Sequence, residues 1–304
     1  MADVVVVGLV CRDVVVRVPR LPGSGSVAVD ERHEVLGGAA NQAVGLVQLG
    51  RSATLVGVVG EDDAGRAVLA QARADGIGID AVVRRPGTAT ALVVDVVDDA
   101  GSPRLLEHLP EGTWLTAGDV HAAAAVIGSG RAVTVEMRQP AAAVADAVRL
   151  ATGAGALVVA DGANLEALAP VLANGAVLRA DADEASSLLG RRLDGVADTL
   201  DGARELVGAG ASLVALGAGE DGNVLAWPGG QLVFPLLGGS PVDPTGGGDA
   251  FVTGLVAALL DGADPEVAGW WGSAAAALTV ARLGGRPALD RAAVADLARR
   301  SATR

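Results

Sequence analysis

The stretch Val242-Asp243-Pro244-Thr245-Gly246-Gly247-Gly248-Asp249-Ala250-Phe251 sets three consecutive glycines directly ahead of an apolar run over 249–260 that reads as a helix. Glycines at such a junction let successive N–H groups converge and let a ligand approach with no Cβ in the way. The helix dipole adds positive potential at the same spot. Together these features suit phosphoryl oxygens. Asp249 opens the helix, where a carboxylate can cap it. A carboxylate beside bound phosphate is repelled unless it has a task there, and accepting a proton from an attacking hydroxyl is such a task. From the glycines alone, a Gly-rich turn with an Asp N-cap serves equally well. The stretch is no Walker A loop, because no Gly-Lys-Ser/Thr follows. Nor is it a dinucleotide fingerprint, which belongs to the first βα turn, where Gly8-Leu9-Val10-Cys11 does not fit.

Working outward, the chain alternates strands and helices. Residues 4–7 form an apolar run closed by Gly8, the pattern of a buried central strand. Further strands are predicted at 53–59, 132–135, 156–160, 176–179, 212–216 and 224–226. Helices are predicted at 41–49, 63–75, 141–151, 183–189, 196–208, 249–260 and 265–283. This rhythm implies βαβ units and a mostly parallel sheet. Two segments, about 13–35 and 86–110, are too polar on one face to lie inside it. The first holds a strand over 27–35. The second holds strands over 88–97 and 104–108, joined by a hairpin turn at Asp98-Asp99-Ala100-Gly101. The two segments are expected to form a small sheet beside the main one.

Composition narrows the partners. With 51% hydrophobic residues, 304 residues bury an ample core. A net charge of −13 argues against nucleic acid and anionic membranes. There is no lysine, so cationic contacts must come from Arg, a metal ion or backbone N–H groups. A single cysteine, Cys11, allows no disulfide within the chain and suits a reducing cytosol. The start shows no basic n-region, and no run reaches the roughly 18–20 apolar residues of a membrane span. The expectation is a cytoplasmic protein.

The glycine stretch resembles the C-terminal signature of the ribokinase (PfkB) family of carbohydrate kinases. Other places resemble the family in the right order: Val7-Gly8 followed by Asp13; Leu36-Gly37-Gly38-Ala39-Ala40-Asn41; Val56-Gly57-Val58-Val59-Gly60-Glu61-Asp62-Asp63-Ala64-Gly65; Thr134-Val135-Glu136; Asp181-Ala182-Asp183-Glu184; and Leu216-Gly217. The resemblance implies a ribokinase-like three-layer α/β/α sandwich in one domain over 1–304, with the small sheet as a lid. It implies ATP as phosphoryl donor, Mg²⁺, a sugar as acceptor and Asp249 as catalytic base, with Gly246, Gly247 and Gly248 forming the anion hole. Asp13, Gly37, Gly38, Asn41 and Glu136 are the implied sugar ligands. Asp181, Gly217, Gly222 and Ser273 fall near the nucleotide. Glu184 and Asp181 are the implied Mg²⁺ ligands, acting through water. Asp243, Thr245, Thr279, Arg282 and Gly284 correspond to a monovalent-cation loop suited to K⁺. Members often dimerise through their lids, so a homodimer is expected here.

Departures bear on the substrate. Asp181 stands where the family has Asn, Cys11 replaces an Asn that contacts the sugar, Gly38 replaces a Lys, and Ala288 replaces a hydroxyl of the cation loop. Ribose or a related pentose leads; a nucleoside or ketohexose derivative also fits. A non-catalytic nucleotide-binding regulator on the same fold is disfavoured by the intact Asp249 and glycine loop. A Rossmann dehydrogenase is disfavoured by the missing fingerprint.

Overall fold

The computed structural model describes residues 2–99 and 103–303. Its thirteen strands are β1 (Val4–Val7), β2 (Val10–Val18), β3 (Glu31–Gly38), β4 (Ala53–Gly60), β5 (Gly78–Arg85), β6 (Ala91–Asp98), β7 (Pro103–His108), β8 (Ala132–Glu136), β9 (Leu157–Asp161), β10 (Val177–Ala180), β11 (Leu213–Gly217), β12 (Asn223–Trp227) and β13 (Gly230–Phe234).

The four valines of β1 are almost wholly buried. Successive side chains on a strand point to opposite faces, so a strand with no polar position needs cover on both sides. Val4 and Val6 pack into one core with helices Ala40–Gln48, Gly247–Leu260 and Pro265–Val280. Val5 and Val7 pack into a second core with helices Ala141–Gly153, Leu165–Ala173 and Gly195–Gly208. Two helical layers thus cover one nine-stranded sheet, ordered β13-β12-β11-β10-β9-β8-β1-β4-β5. It is parallel from β11 to β5, and β12 and β13 run antiparallel at one edge. This is the expected three-layer sandwich.

Only Gly8 and Leu9 separate β1 from β2, where the chain leaves the main sheet for a second, four-stranded one ordered β3-β2-β6-β7. The two polar segments do come together as expected, with β2 and β6 parallel at its centre. Their limits differ from the sequence reading. β3 starts at Glu31 rather than 27 and runs on to Gly38, so Gly37 and Gly38 belong to a strand. The last two residues of the expected hairpin turn, Ala100 and Gly101, lie outside the described residues.

β5, β13 and the helices Leu165–Ala173 and Arg291–Ala302 were not anticipated. β5 opens on a glycine and mixes Asp80, Arg84 and Arg85 into its pattern. β13 begins beside the Pro228-Gly229 turn, and Pro170 interrupts the pattern of the third segment. No described helix is long and apolar enough to cross a membrane.

Candidate active site

The parallel strands point their C-terminal ends at one edge of the body, the usual crevice of open α/β sheets. Glu136 and Asp161 end β8 and β9, Asp181 follows β10, and Gly217 ends β11. The small sheet stands over this edge. Between them lies a cleft of about 520 Å³, and Asp13, Asn41, Glu136, Gly246 and Asp249 all line it.

The glycine loop is built by its backbone. Gly246 is the N-cap of the helix, at φ +74°. A Cβ there would collide with the backbone of Gly285. The Gly247 N–H donates to the Pro244 carbonyl at 3.2 Å. Helix geometry leaves those of Gly248 and Asp249 for a ligand. Asp249 is therefore not the cap that the sequence suggested. It is the third helical residue, and its carboxylate turns inward to accept from Gln42 Nε2 at 3.1 Å and Asn41 Nδ2 at 3.4 Å. Burial, reinforced by the charge of Asp161, raises its pKa to about 7 against the lowering effect of those two amides.

Three groups that sequence reading passed over complete this centre. Gln42 Nε2 also donates to Asp161 Oδ2 at 2.8 Å, so one amide bridges two carboxylates. Asp161 in turn accepts from Arg179 Nη1 at 3.0 Å, the two residues being register partners on β9 and β10. The guanidinium of Arg179 lies over Gly248, where a Cβ would strike it. Burial alone would lower the pKa of Arg179, but the charges of Asp161 and Glu184 hold it above its ordinary value. The absence of lysine was the available sign, because it left arginine as the one side chain with a permanent positive charge beside metal ions and backbone N–H groups.

On the small-sheet side, Asp13 is buried inside β2 rather than at a strand end. It covers Gly37, whose Cβ would overlap the carboxylate. Cys11 Sγ donates to Asp13 Oδ1 at 3.0 Å. Burial raises Asp13 to about 6, and burial together with the Asp13 charge pushes the thiol well above its ordinary range. Glu136 accepts from the Leu9 N–H at 2.6 Å and from Gln139 Nε2 at 3.2 Å, and burial raises its pKa. Gly38, at φ +69°, closes the group.

Asp181 and Glu184 form a reciprocal capping box on helix Ala182–Leu189, each accepting from the other's N–H at 2.8 Å. Their second oxygens, Oδ2 and Oε1, lie outside this pair. Such hard oxygens fit Mg²⁺ held through water. A side groove runs on from Arg179 and Asp181 to Gly217 and Gly222. Ser273 does not join it; the residue is buried within helix Pro265–Val280 and its hydroxyl has no partner among the described residues. Asp243 is fully buried and accepts from Thr245 N at 2.9 Å and Gly284 N at 2.8 Å. Thr279 is buried nearby in sequence, whereas Arg282 is exposed.

A glycine loop facing a held carboxylate at the C-terminal edge of a parallel sheet defines a phosphotransferase acting on small hydroxylic molecules. The chain belongs to the pfkB family of carbohydrate kinases, whose description matches residues 1–292. It is 32% identical over 300 residues, 97% of each chain, to the ATP-dependent ribose-1-phosphate kinase of Halopiger xanaduensis. Among solved structures it resembles an Arabidopsis thaliana ribokinase complexed with ribose and ATP, with a TM-score of 0.79 at 23% identity over 98% of each chain. It also resembles the Escherichia coli phosphofructokinase-2 in complex with potassium, with a TM-score of 0.82 at 18% identity over 99% of this chain and 100% of that one.

Proposed function

We propose that this chain transfers the γ-phosphoryl group of ATP to a hydroxyl of ribose or a closely related pentose. The observation that carries this reading is the Asp249 carboxylate, held by Asn41 and Gln42 at the mouth of the glycine loop. With a pKa near 7 it takes the hydroxyl proton as the sugar oxygen bonds to phosphorus and the bond to the ADP oxygen breaks. The N–H groups of Gly248 and Asp249 and the guanidinium of Arg179 receive the phosphoryl charge. Asp13, Asn41 and Glu136, with the small Gly37 and Gly38 beside them, offer acceptors and donors for sugar hydroxyls. Adenine is assigned to the groove beside Gly217 and Gly222. Glu184 and Asp181 would hold magnesium through water, and the ion would supply positive charge against the phosphates. A monovalent cation suits the loop of Asp243, Thr245, Thr279, Arg282 and Gly284, the last three through their carbonyls, consistent with the potassium in the structure of the similar phosphofructokinase-2.

On this reading residues 1–304 are one kinase domain that works in the cytoplasm, and the small sheet is a lid whose outer face pairs with that of a second copy. A coupled ADP-release screen over pentoses, hexoses and nucleosides tests the assignment. No sugar-dependent ADP release from any of them overturns it. A second acceptor, ribose 1-phosphate, is favoured by the Halopiger relative and by Arg138, which lines the cleft one residue beyond Met137 from Glu136. Including it in the screen separates the two.

A further inference from the structure

Asp95 interrupts the apolar strand β6. It is 2% exposed and shares the body-facing side of the small sheet with Val93 and Val97. Its Oδ2 accepts from the Thr245 hydroxyl at 2.9 Å, whereas its buried Oδ1 has no donor among the described residues. Thr245 links Asp95 to Asp243, whose Oδ1 accepts from the Thr245 N–H at 2.9 Å, and the two buried carboxylates repel each other. Both Asp243 oxygens already accept backbone N–H bonds, from Thr245 and Gly284. The buried Asp13 adds a further negative charge from β2. No described arginine forms an ion pair with Asp95 or Asp243. Adjacent buried carboxylates without a cation are strongly unfavourable.

The surroundings are rich in oxygen. Residues 242–243 run beside 280–284, joined through the Val280 carbonyl and the Gly284 N–H, and Thr245 adds its hydroxyl. A magnesium ion would keep several waters and want more acidic ligands. No group of three or more His, Cys, Asp or Glu placed to hold a metal occurs among the described residues.

We propose that Asp95 is a ligand, supplied by the small sheet, for a monovalent cation held against Asp243, so that cation occupancy ties that sheet to the loop bearing the anion hole. The proposal rests on the cation-loop reading above, but its test needs no catalysis and so stands or falls apart from the sugar assignment.

The test is thermal unfolding of the ligand-free protein at pH 8 in KCl, NaCl, choline chloride and MgCl₂ at matched ionic strength, for the natural chain and for Asp95→Asn. KCl is expected to raise the natural chain's Tm over choline chloride by about 3 °C at tenfold saturation. Asp95→Asn, which removes one buried charge, is expected to match or exceed the natural chain in choline and to lose most of the KCl increment. If Asp95→Asn fails to fold, Asp95→Ser gives the same comparison. Three results overturn the proposal: a natural chain that melts alike in KCl and choline, as a shared proton between Asp95 and Asp243 would give; a variant that loses stability equally in every salt while keeping the increment, the mark of a merely structural Asp95; and stabilisation by MgCl₂ alone.

Discussion

Asp249 sits among groups that oppose one another. Burial and the Asp161 charge push its proton affinity up, while two amides favour the anion. Three outcomes follow. Asp249→Asn should keep the fold and nucleotide binding but lower kcat by about 10²–10⁴-fold; near-normal turnover would remove Asp249 from the chemistry. The acid limb of the natural enzyme's kcat/KM should titrate near pH 7, because only the ionised carboxylate accepts a proton. Stability should move the other way. A carboxylate raised from 3.8 to about 7 contributes stability that is fully present below about pH 4 and lost as pH rises through 7. Asp249→Asn should therefore be more stable than the natural chain at pH 8, by about 1–2 kcal/mol, and lose that advantage only as pH falls to about 4. Equal melting at both values would contradict the raised pKa. Asp249 and its glycines were legible because their chemistry is written in consecutive residues. Arg179 and Asp161 were not: each looks like the polar end of an apolar strand, and only the parallel register of β9 and β10 sets them side by side.

The elements explain why particular glycines are where they are. Gly60 and Gly65 lie where a Cβ would hit backbone, and Asp62 between them accepts from Gly65 N at 2.7 Å and Thr90 N at 2.8 Å. That motif pins the start of helix Asp63–Ala74 to the approach of β6, so it positions the small sheet rather than touching the cleft. Gly37 does touch it, through Asp13. Gly37→Ala should displace that carboxylate and raise the sugar KM by roughly 10–100-fold, the loss of hydrogen bonds to a charged group, with little change in the ATP KM. Equal effects on both KM values would mean general loosening of the sheet. Gly248 faces Arg179 in the same way. Arg179→Gln should lower kcat/KM for ATP by about 10–100-fold, with partial rescue in Arg179→Lys; an unchanged ATP dependence would limit Arg179 to pairing Asp161. Local patterning located most helices and strands to within a few residues. It failed where a strand has no clean period, as in β5, or where a proline sits inside a helix, as at Pro170.

At the scale of the whole molecule, the small sheet has two unlike faces. One carries Asp13, Val93 and Asp95 toward the body. The other sets Val14, Val94 and Leu106 in one row across β2, β6 and β7, with Leu106 63% exposed. Among its edges, β3 is guarded by exposed Glu31, Arg32, His33 and Glu34, while the β7 edge exposes Leu105 and Leu106. Charged edges resist pairing, and a small sheet with an apolar open face is marginal alone. Pairing the outer faces of two copies across a two-fold axis would cover the row without disturbing the inner face that lines the cleft. Val94 lies at the centre of that row and is half-buried in the single chain, so a charge there costs little until a partner arrives. Val94→Glu should shift the sedimenting species from dimer to monomer at micromolar concentration. It should also raise the sugar KM, because a lid that loses its support closes less completely and admits water to the γ-phosphate. A natural chain that sediments as a monomer at micromolar concentration with full activity would sink the pairing, leaving the four strands to be stabilised by their own body alone.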